Sequence, residues 1–271
     1  MKRHRILSFD IDSRATLIKF YLDKAELNEQ DKNNFDNLVN GLKLQFGESN
    51  FDEKLKNLLD IDSKPLSVIS YHNIFLGQIR NSFITSSYYP ALTGSCALGE
   101  RILNHLLLNL RKDFSGTEEY RKIYKKNSFD NWESVIEIWT SWKIFLPKTT
   151  EKFLELKVKR HRSIHFNLDT EINIRQEALE AVLLIQEIIN EQFCAFGNRP
   201  WFITNIPGEI YIKKDWENNP FIKLVYLPNT LQLGYKHKIE SINPYKINDN
   251  FQYEENEISD EEYSKKRVSF E

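Results

Sequence analysis

The chain has little of what marks several common protein classes. It holds two cysteines in 271 residues, Cys96 and Cys194, each within an apolar helical pattern. That count excludes a disulfide framework and a cysteine-rich metal site, and it predicts two buried thiols in a reducing compartment. No apolar run approaches the roughly 20 residues that span a bilayer. The basic start, Met1-Lys2-Arg3-His4-Arg5, is followed by no apolar h-region, so neither a signal peptide nor a membrane anchor is expected. The expected location is the cytoplasm. Excess charge is also lacking, with a formal net charge of -2. Proteins that coat nucleic acid carry a large positive excess, so any such contact must come from a local patch. Nine glycines and eight prolines rule out low complexity. There is no phosphate-binding glycine loop, no CxxC, no HExxH and no serine-nucleophile elbow.

What is present is apolar material patterned for helices. Hydrophobic residues make up 41% of the chain and aromatics 13%, enough for a core at this length. Residues 7–12 alternate apolar and polar, which predicts a short strand. Residues 16–24 read as a short helix, followed by an amphipathic helix, a loop at Gly47-Glu48-Ser49-Asn50 and a helix ending near Ile61. From about Leu66 to Cys194 the pattern is helical almost throughout. Residues 68–86 form one periodic segment. A second helix starts near Pro90, where a missing N–H is harmless in the first turn, and carries Leu98, Ile102, Leu106 and Leu110. Trp132, Val135, Ile136, Trp139 and Trp142 recur at helical spacing, as a core stripe in preference to a base-stacking platform, with Pro147 ending the run. Thr149 or Thr150 caps a helix running into Arg160, and a last helix carries Ala178, Val182, Ile185, Ile189 and Phe193. Beyond Gly197, residues 208–213 and 221–227 alternate and predict strands. From about residue 250 the tail is charged and poor in aliphatics, which predicts a mobile segment.

The expected fold is mainly α. It is an up-and-down helical bundle at residues 66–196, with an N-terminal extension (1–65), a small C-terminal β appendage (197–249) and a flexible charged tail (250–271).

One stretch carries chemistry: Lys157-Val158-Lys159-Arg160-His161-Arg162-Ser163-Ile164-His165-Phe166-Asn167. A histidine can move protons near neutral pH, and an arginine presents a fork of donors that fits phosphate oxygens. Residues 148–165 hold six lysines and arginines against Glu151 and Glu155. Five residues turn an ideal helix through about 500°, which points Arg160 and His165 about 140° apart. They converge on one phosphate only if the helix breaks between them or a second subunit supplies another copy. The plain alternative is a solvated basic helix end, where cations favour the dipole. Glu100, on a mostly apolar helix face, pairs with Arg80, Arg101 or Arg160, or orients a site arginine. His105 reads as a core histidine, and His72 and His237 are assigned no role. Asp10 and Asp12 share the solvated face of the predicted strand, so they read as surface acids and not as metal ligands.

The run Arg160-His161-Arg162-Ser163-Ile164-His165, between the third and fourth helices of an all-helical segment, resembles the Arg-x4-His motif of HEPN domains. His161 stands where the family usually carries a polar residue. Phe166, Asn167, the amphipathic segment 171–193 and the mid-helix Glu100 fit the same pattern, and the resemblance covers residues 66–195. It implies an RNA endonuclease that needs neither metal nor cofactor and works as a homodimer, in a toxin–antitoxin or antiviral setting with an antitoxin or defence partner protein. Arg160 and His165 would be catalytic. His161, Arg162, Lys157, Lys159 and Glu100 would bind substrate or support the site. Many members have lost the activity, so the alternative is a non-catalytic module that binds a partner protein or nucleotide through the same patch.

Overall fold

The computed structural model describes every residue except Ser70, Tyr71, Phe166 and Glu271. It is mainly α and divides into two compact units, one of Met1–Phe9 with Ala195–Glu271 and one of Asp10–Cys194. Strand β1 (Lys2–Ile6) belongs to the first unit. The second unit opens with β2 (Asp10–Asp12), α1 (Arg14–Asp23), α2 (Glu29–Phe46), α3 (Phe51–Asp60) and β3 (Lys64–Ser67). The long helices follow: α4 (His72–Ile84), α5 (Tyr88–Leu110), the short α6 (Glu118–Ile123), α7 (Trp132–Ser141), α8 (Pro147–Ile164), the short α9 (Leu168–Ile172) and α10 (Ile174–Phe193).

The strand expected at residues 7–12 is displaced: residues 2–6 and 10–12 are the strands, and residues 7–9 lie between them. Asp12 accepts from the Arg14 backbone N–H at 3.1 Å and from its guanidinium, which turns the chain into α1. Asp10 pairs with Lys64. Both acids thus answer cations. Helix α2 starts on a capping box, in which Asn28 accepts from Asp31 N–H and Asp31 accepts from Asn28 N–H. It ends at Gly47, where φ is +79°.

The core of this unit is α5, which packs against α4, α8 and α10. Its buried positions, among them Ala91, Leu92, Ser95, Leu98, Gly99, Ile102, Leu106 and Leu110, recur at three and four residues and form the wide face the sequence predicts. Trp132, Val135, Ile136 and Trp139 of α7 are buried as expected. Pro147 does not end that run. It occupies the first turn of α8 with Leu146 as N-cap, so Thr149 and Thr150 lie inside the helix. A proline's missing N–H suits a helix start as well as a helix stop. Helix α8 buries only a narrow stripe, Thr149, Phe153, Leu156 and Ser163. The end of α10 is tied to the chain just after β3, where Val68 N–H donates to Phe193 O at 3.0 Å. Phe166, part of the motif's resemblance, lies outside the described residues, as do Ser70 and Tyr71 in the segment expected to be helical.

In the other unit β1 pairs antiparallel with β4 (Thr230–Gly234), and β5 (Lys238–Ile242) forms a hairpin with β6 (Tyr245–Asn248). The two strands expected earlier are not formed. Residues 208–213 make only isolated bridges, Arg5 with Tyr211 and Phe202 with Ile212. Residues 222–229 are helical turns started by Asn219, whose Oδ1 accepts from Phe221 and Ile222 N–H at 3.0 and 3.2 Å. A short run apolar at all but one position fits either structure, and the Asn219 cap decides it here.

The tail is also corrected. Residues 260–270 form α11 (Asp260–Phe270), capped by Ser259, with Tyr263, Ser264 and Arg267 buried. Buried Tyr263 packs in a cluster with Ile203, Ile206, Tyr211, Tyr235 and Ile258, and buried charge pairs hold the helix as well. Arg267 forks onto Glu209 at 2.7 and 3.0 Å and donates to His237 O at 2.9 Å. Arg3, buried in β1, binds Glu257, Ile258 O and Asp260. Burial pushes the Glu209 carboxyl up, but bonds from His237, Arg267 and Tyr211 outweigh it and hold the group well below the usual carboxylate range.

Two outcomes follow for stability. Deleting residues 255–271 exposes Glu209 and strips Arg3 of its partners, so the melting temperature should fall by several degrees or more. Arg267→Ala alone should lose roughly 3–5 kcal/mol in urea unfolding of the unit. The second concerns the α5–α8 contact, where a Cβ on Gly99 would stand 2.7 Å from Leu156 Cδ2 and 2.9 Å from Trp132. Gly99→Ala should therefore destabilise by up to about 2 kcal/mol despite its better helix propensity, and an unchanged urea midpoint would refute the close packing.

Candidate functional site

The motif lies on the last two turns of α8. Its stripe Leu156 and Ser163 faces the core, which leaves the intervening residues to meet neighbouring helices or water. The helix runs unbroken through Ile164, and His165 is the first residue outside it, with φ −95° and ψ 142°. The break therefore falls at His165 and not between Arg160 and His165. Asn167 then caps α9, its side chain accepting from Thr170 N–H at 3.1 Å.

Arg160 is turned toward α5 and α7. Its Nε donates to Glu100 Oε2 at 2.8 Å, and Nη2 lies in an ion pair 2.8 Å from the same oxygen. Its guanidinium carbon sits 5.8 Å from the Trp132 ring centroid, within cation–π range. Of the three arginines open to Glu100 in the sequence, Arg160 is the partner, and Glu100 fixes the direction of the fork. Arg160 Nη1 is not engaged by any described residue.

The rest of the basic run is answered by other helices. Lys157 pairs with Glu133 of α7. Lys159 binds Glu177 at 2.8 Å and also Glu180, both from α10. Arg162 lies 3.9 Å from Glu177. Partial burial works against the Lys159 charge, yet Glu177 and Glu180 more than offset it and raise the group above the ordinary lysine range. The sequence count of six cations against two acids is thus a count along α8 only. Glu133, Glu177 and Glu180 were missed because they lie on other helices and carry no local signal.

His161 and His165 are both exposed, and their rings lie 4.7 Å apart at an interplanar angle of 53°. Spacing of four residues puts them on one side of the helix end, and the His165 N–H still donates to His161 O at 3.2 Å. Behind them Ser163 Oγ donates to Arg160 O at 2.9 Å. Cys96 lies near Ser163, and burial pushes its thiol up to about 11, so it is no nucleophile. Cys194 is likewise buried and forms no disulfide.

One end of α8 thus brings together Arg160, Glu100 and Trp132 on one side and His161 with His165 on another. Lys157, Lys159 and Arg162 stand around them in ion pairs. Apolar side chains lie beside the motif in water: Leu154 and Val158, two turns and one turn before His161, then Ile164, Leu168 and Ile172. Among the described residues no group of three or more histidines, cysteines and acids is placed to hold a metal ion, and no helix is long and apolar enough to cross a membrane. Compared with protein-family models, with curated protein sequences and with solved structures, the chain matches none.

Proposed function

We propose that this chain is an RNA endonuclease of the HEPN type. The observation that carries the reading is the oriented Arg160, held by Glu100 over Trp132, at the same helix end as the exposed His165. In the proposed step the histidine takes the proton of a ribose 2′-hydroxyl. The 2′-oxygen attacks phosphorus, the bond to the 5′-oxygen breaks and that oxygen takes the proton back from the imidazolium. The products are a 2′,3′-cyclic phosphate and a 5′-hydroxyl, and the guanidinium stabilises the crowded phosphorane.

The ion pairs around the motif are compatible with a polyanion. Pairs open to solvent are worth roughly 0.2–1 kcal/mol each, so RNA phosphates can displace the carboxylates of Lys157 and Arg162, while the half-buried Lys159 stays with Glu177. Arg160 need not leave Glu100, since Nη1 is available to a phosphate oxygen. Exposed Leu154, Val158, Ile164, Leu168 and Ile172 favour a second copy of the chain docking beside the motif, which would set two sites side by side. Cleavage of this kind suits a toxin or antiviral effector restrained by a partner protein. The rival reading, a non-catalytic module that binds a partner protein or nucleotide, draws on the same apolar residues and on the internal neutralisation of the patch.

Cleavage of mixed RNAs in EDTA separates the two readings. His165→Ala should reduce the rate by roughly a hundred- to ten-thousand-fold, as for a lost general acid or base. Arg160→Ala should do the same, and Arg160→Lys should recover only part, because a point charge cannot replace the fork. A His165→Ala protein that cleaves as fast as the parent ends the assignment. For the dimer, light scattering at micromolar concentration should give twice the chain mass, and Val158→Glu should shift it to the monomer. A strictly monomeric parent that still cleaves RNA would remove the second copy from the mechanism.

A further inference from the structure

The contact between His161 and His165 has a chemistry of its own. Two imidazoles four residues apart on a helix can turn a nitrogen each toward one point. A zinc-type ion takes imidazole nitrogens at about 2.0–2.1 Å, which asks the two nitrogens to approach to roughly 3 Å. Ring centroids 4.7 Å apart and tilted by 53° allow that approach with small side-chain rotations. Both rings are exposed, so a hydrated ion reaches them without opening the fold.

The surroundings suit a cation better than the local sequence suggests. The pair sits at the C-terminal end of α8, His161 in its last turn and His165 as its C-cap, where the helix carbonyls point outward and favour positive charge. The two flanking arginines are answered from other helices, Arg160 by Glu100 and Arg162 by Glu177, and Lys159 is answered by Glu177 and Glu180. The other contact between histidine rings differs. His72, 4.9 Å from His105, is buried, and burial, then His105, push it down to about 4. In the other unit, His4 has both ring nitrogens in hydrogen bonds, to Thr230 and Gln232, and His237 is fully buried.

We propose that His161 and His165 form a two-imidazole chelate for a first-row divalent transition metal ion, Zn²⁺, Ni²⁺ or Cu²⁺. Imidazole suits these ions over Mg²⁺ or Ca²⁺, and the affinity order places Cu²⁺ first. The protein supplies two ligands and water supplies the others, so the ion is exchangeable. One consequence rests on the cleavage reading: a metal bound to His165 occupies the nitrogen that would move the proton, so loading switches cleavage off and a chelator restores it.

The test uses the full, untagged chain with CuCl₂, NiCl₂ and ZnCl₂ in a non-coordinating buffer. The parent should bind one equivalent by calorimetry, and the Cu²⁺ form should show electron-spin-resonance splitting from two nitrogens. His161→Ala and His165→Ala should each weaken binding by at least about tenfold, the scale seen even when only a supporting partner of a metal-bound imidazole is removed. His161→Asn, which keeps a polar side chain, should fail equally, whereas His105→Ala should bind like the parent. Unchanged affinity in both His161→Ala and His165→Ala, or a loss confined to His105→Ala, would overturn the chelate. The two readings fail separately. A parent that binds Cu²⁺ through two nitrogens but never cleaves RNA keeps the chelate and loses the nuclease. A parent that cleaves RNA in EDTA and binds no metal does the reverse.

Discussion

Charge pairing between helices sets the geometry at the end of α8. Lys157 reaches α7, Lys159 and Arg162 reach α10, and Arg160 reaches α5. The solvent-open pairs of Lys157 and Arg162 are weak by themselves. Together with those of Lys159 and Arg160 they fix how α8 is rotated about its own axis, because its apolar stripe of Thr149, Phe153, Leu156 and Ser163 is narrow. With the cations committed to three neighbouring helices, the two histidines are what remains on the outer side. The site is therefore defined by what its neighbours leave over. Its reactive groups are exposed while its charged groups are held.

The same division explains what the sequence could reveal. Helices α2, α3, α5, α7 and α10 were legible because their signals are local: a loop at Gly47 and apolar residues at three and four spacings. The Arg–His run was visible as a cluster of residue types. Apart from Glu100, its electrostatic setting was not, because Glu133, Glu177 and Glu180 lie on other helices and gain meaning only when the helices pack. Pro147 was misread for a different reason, since proline marks a boundary without saying which side of it is helical.

The tail shows the limit of reading foldedness from aliphatic content. Residues 260–270 offer little apolar surface, yet Arg267 finds a buried carboxylate in Glu209, and Arg3 answers Glu257 and Asp260. A buried charge left without its partner is heavily penalised, so these pairs make α11 indispensable to Glu209 and Arg3. Composition alone cannot show this, because a solvated acidic tail and a docked one have the same residues.

Strand β3 sits where both ends of the larger unit arrive. Asp10, at its start, pairs with Ser67, and Cys194, at its end, bridges to the same Ser67. For the smaller unit, which must join β1 to residues beyond Ala195, the intervening bundle thus acts as a short bridge. Closing so long a loop as a random coil would carry an entropy penalty that grows with its length. A bundle that folds first brings its own ends to one residue and removes most of that penalty. By this argument a folded bundle, with Asp10 and Cys194 both at Ser67, lowers the entropy cost of pairing β1 with β4.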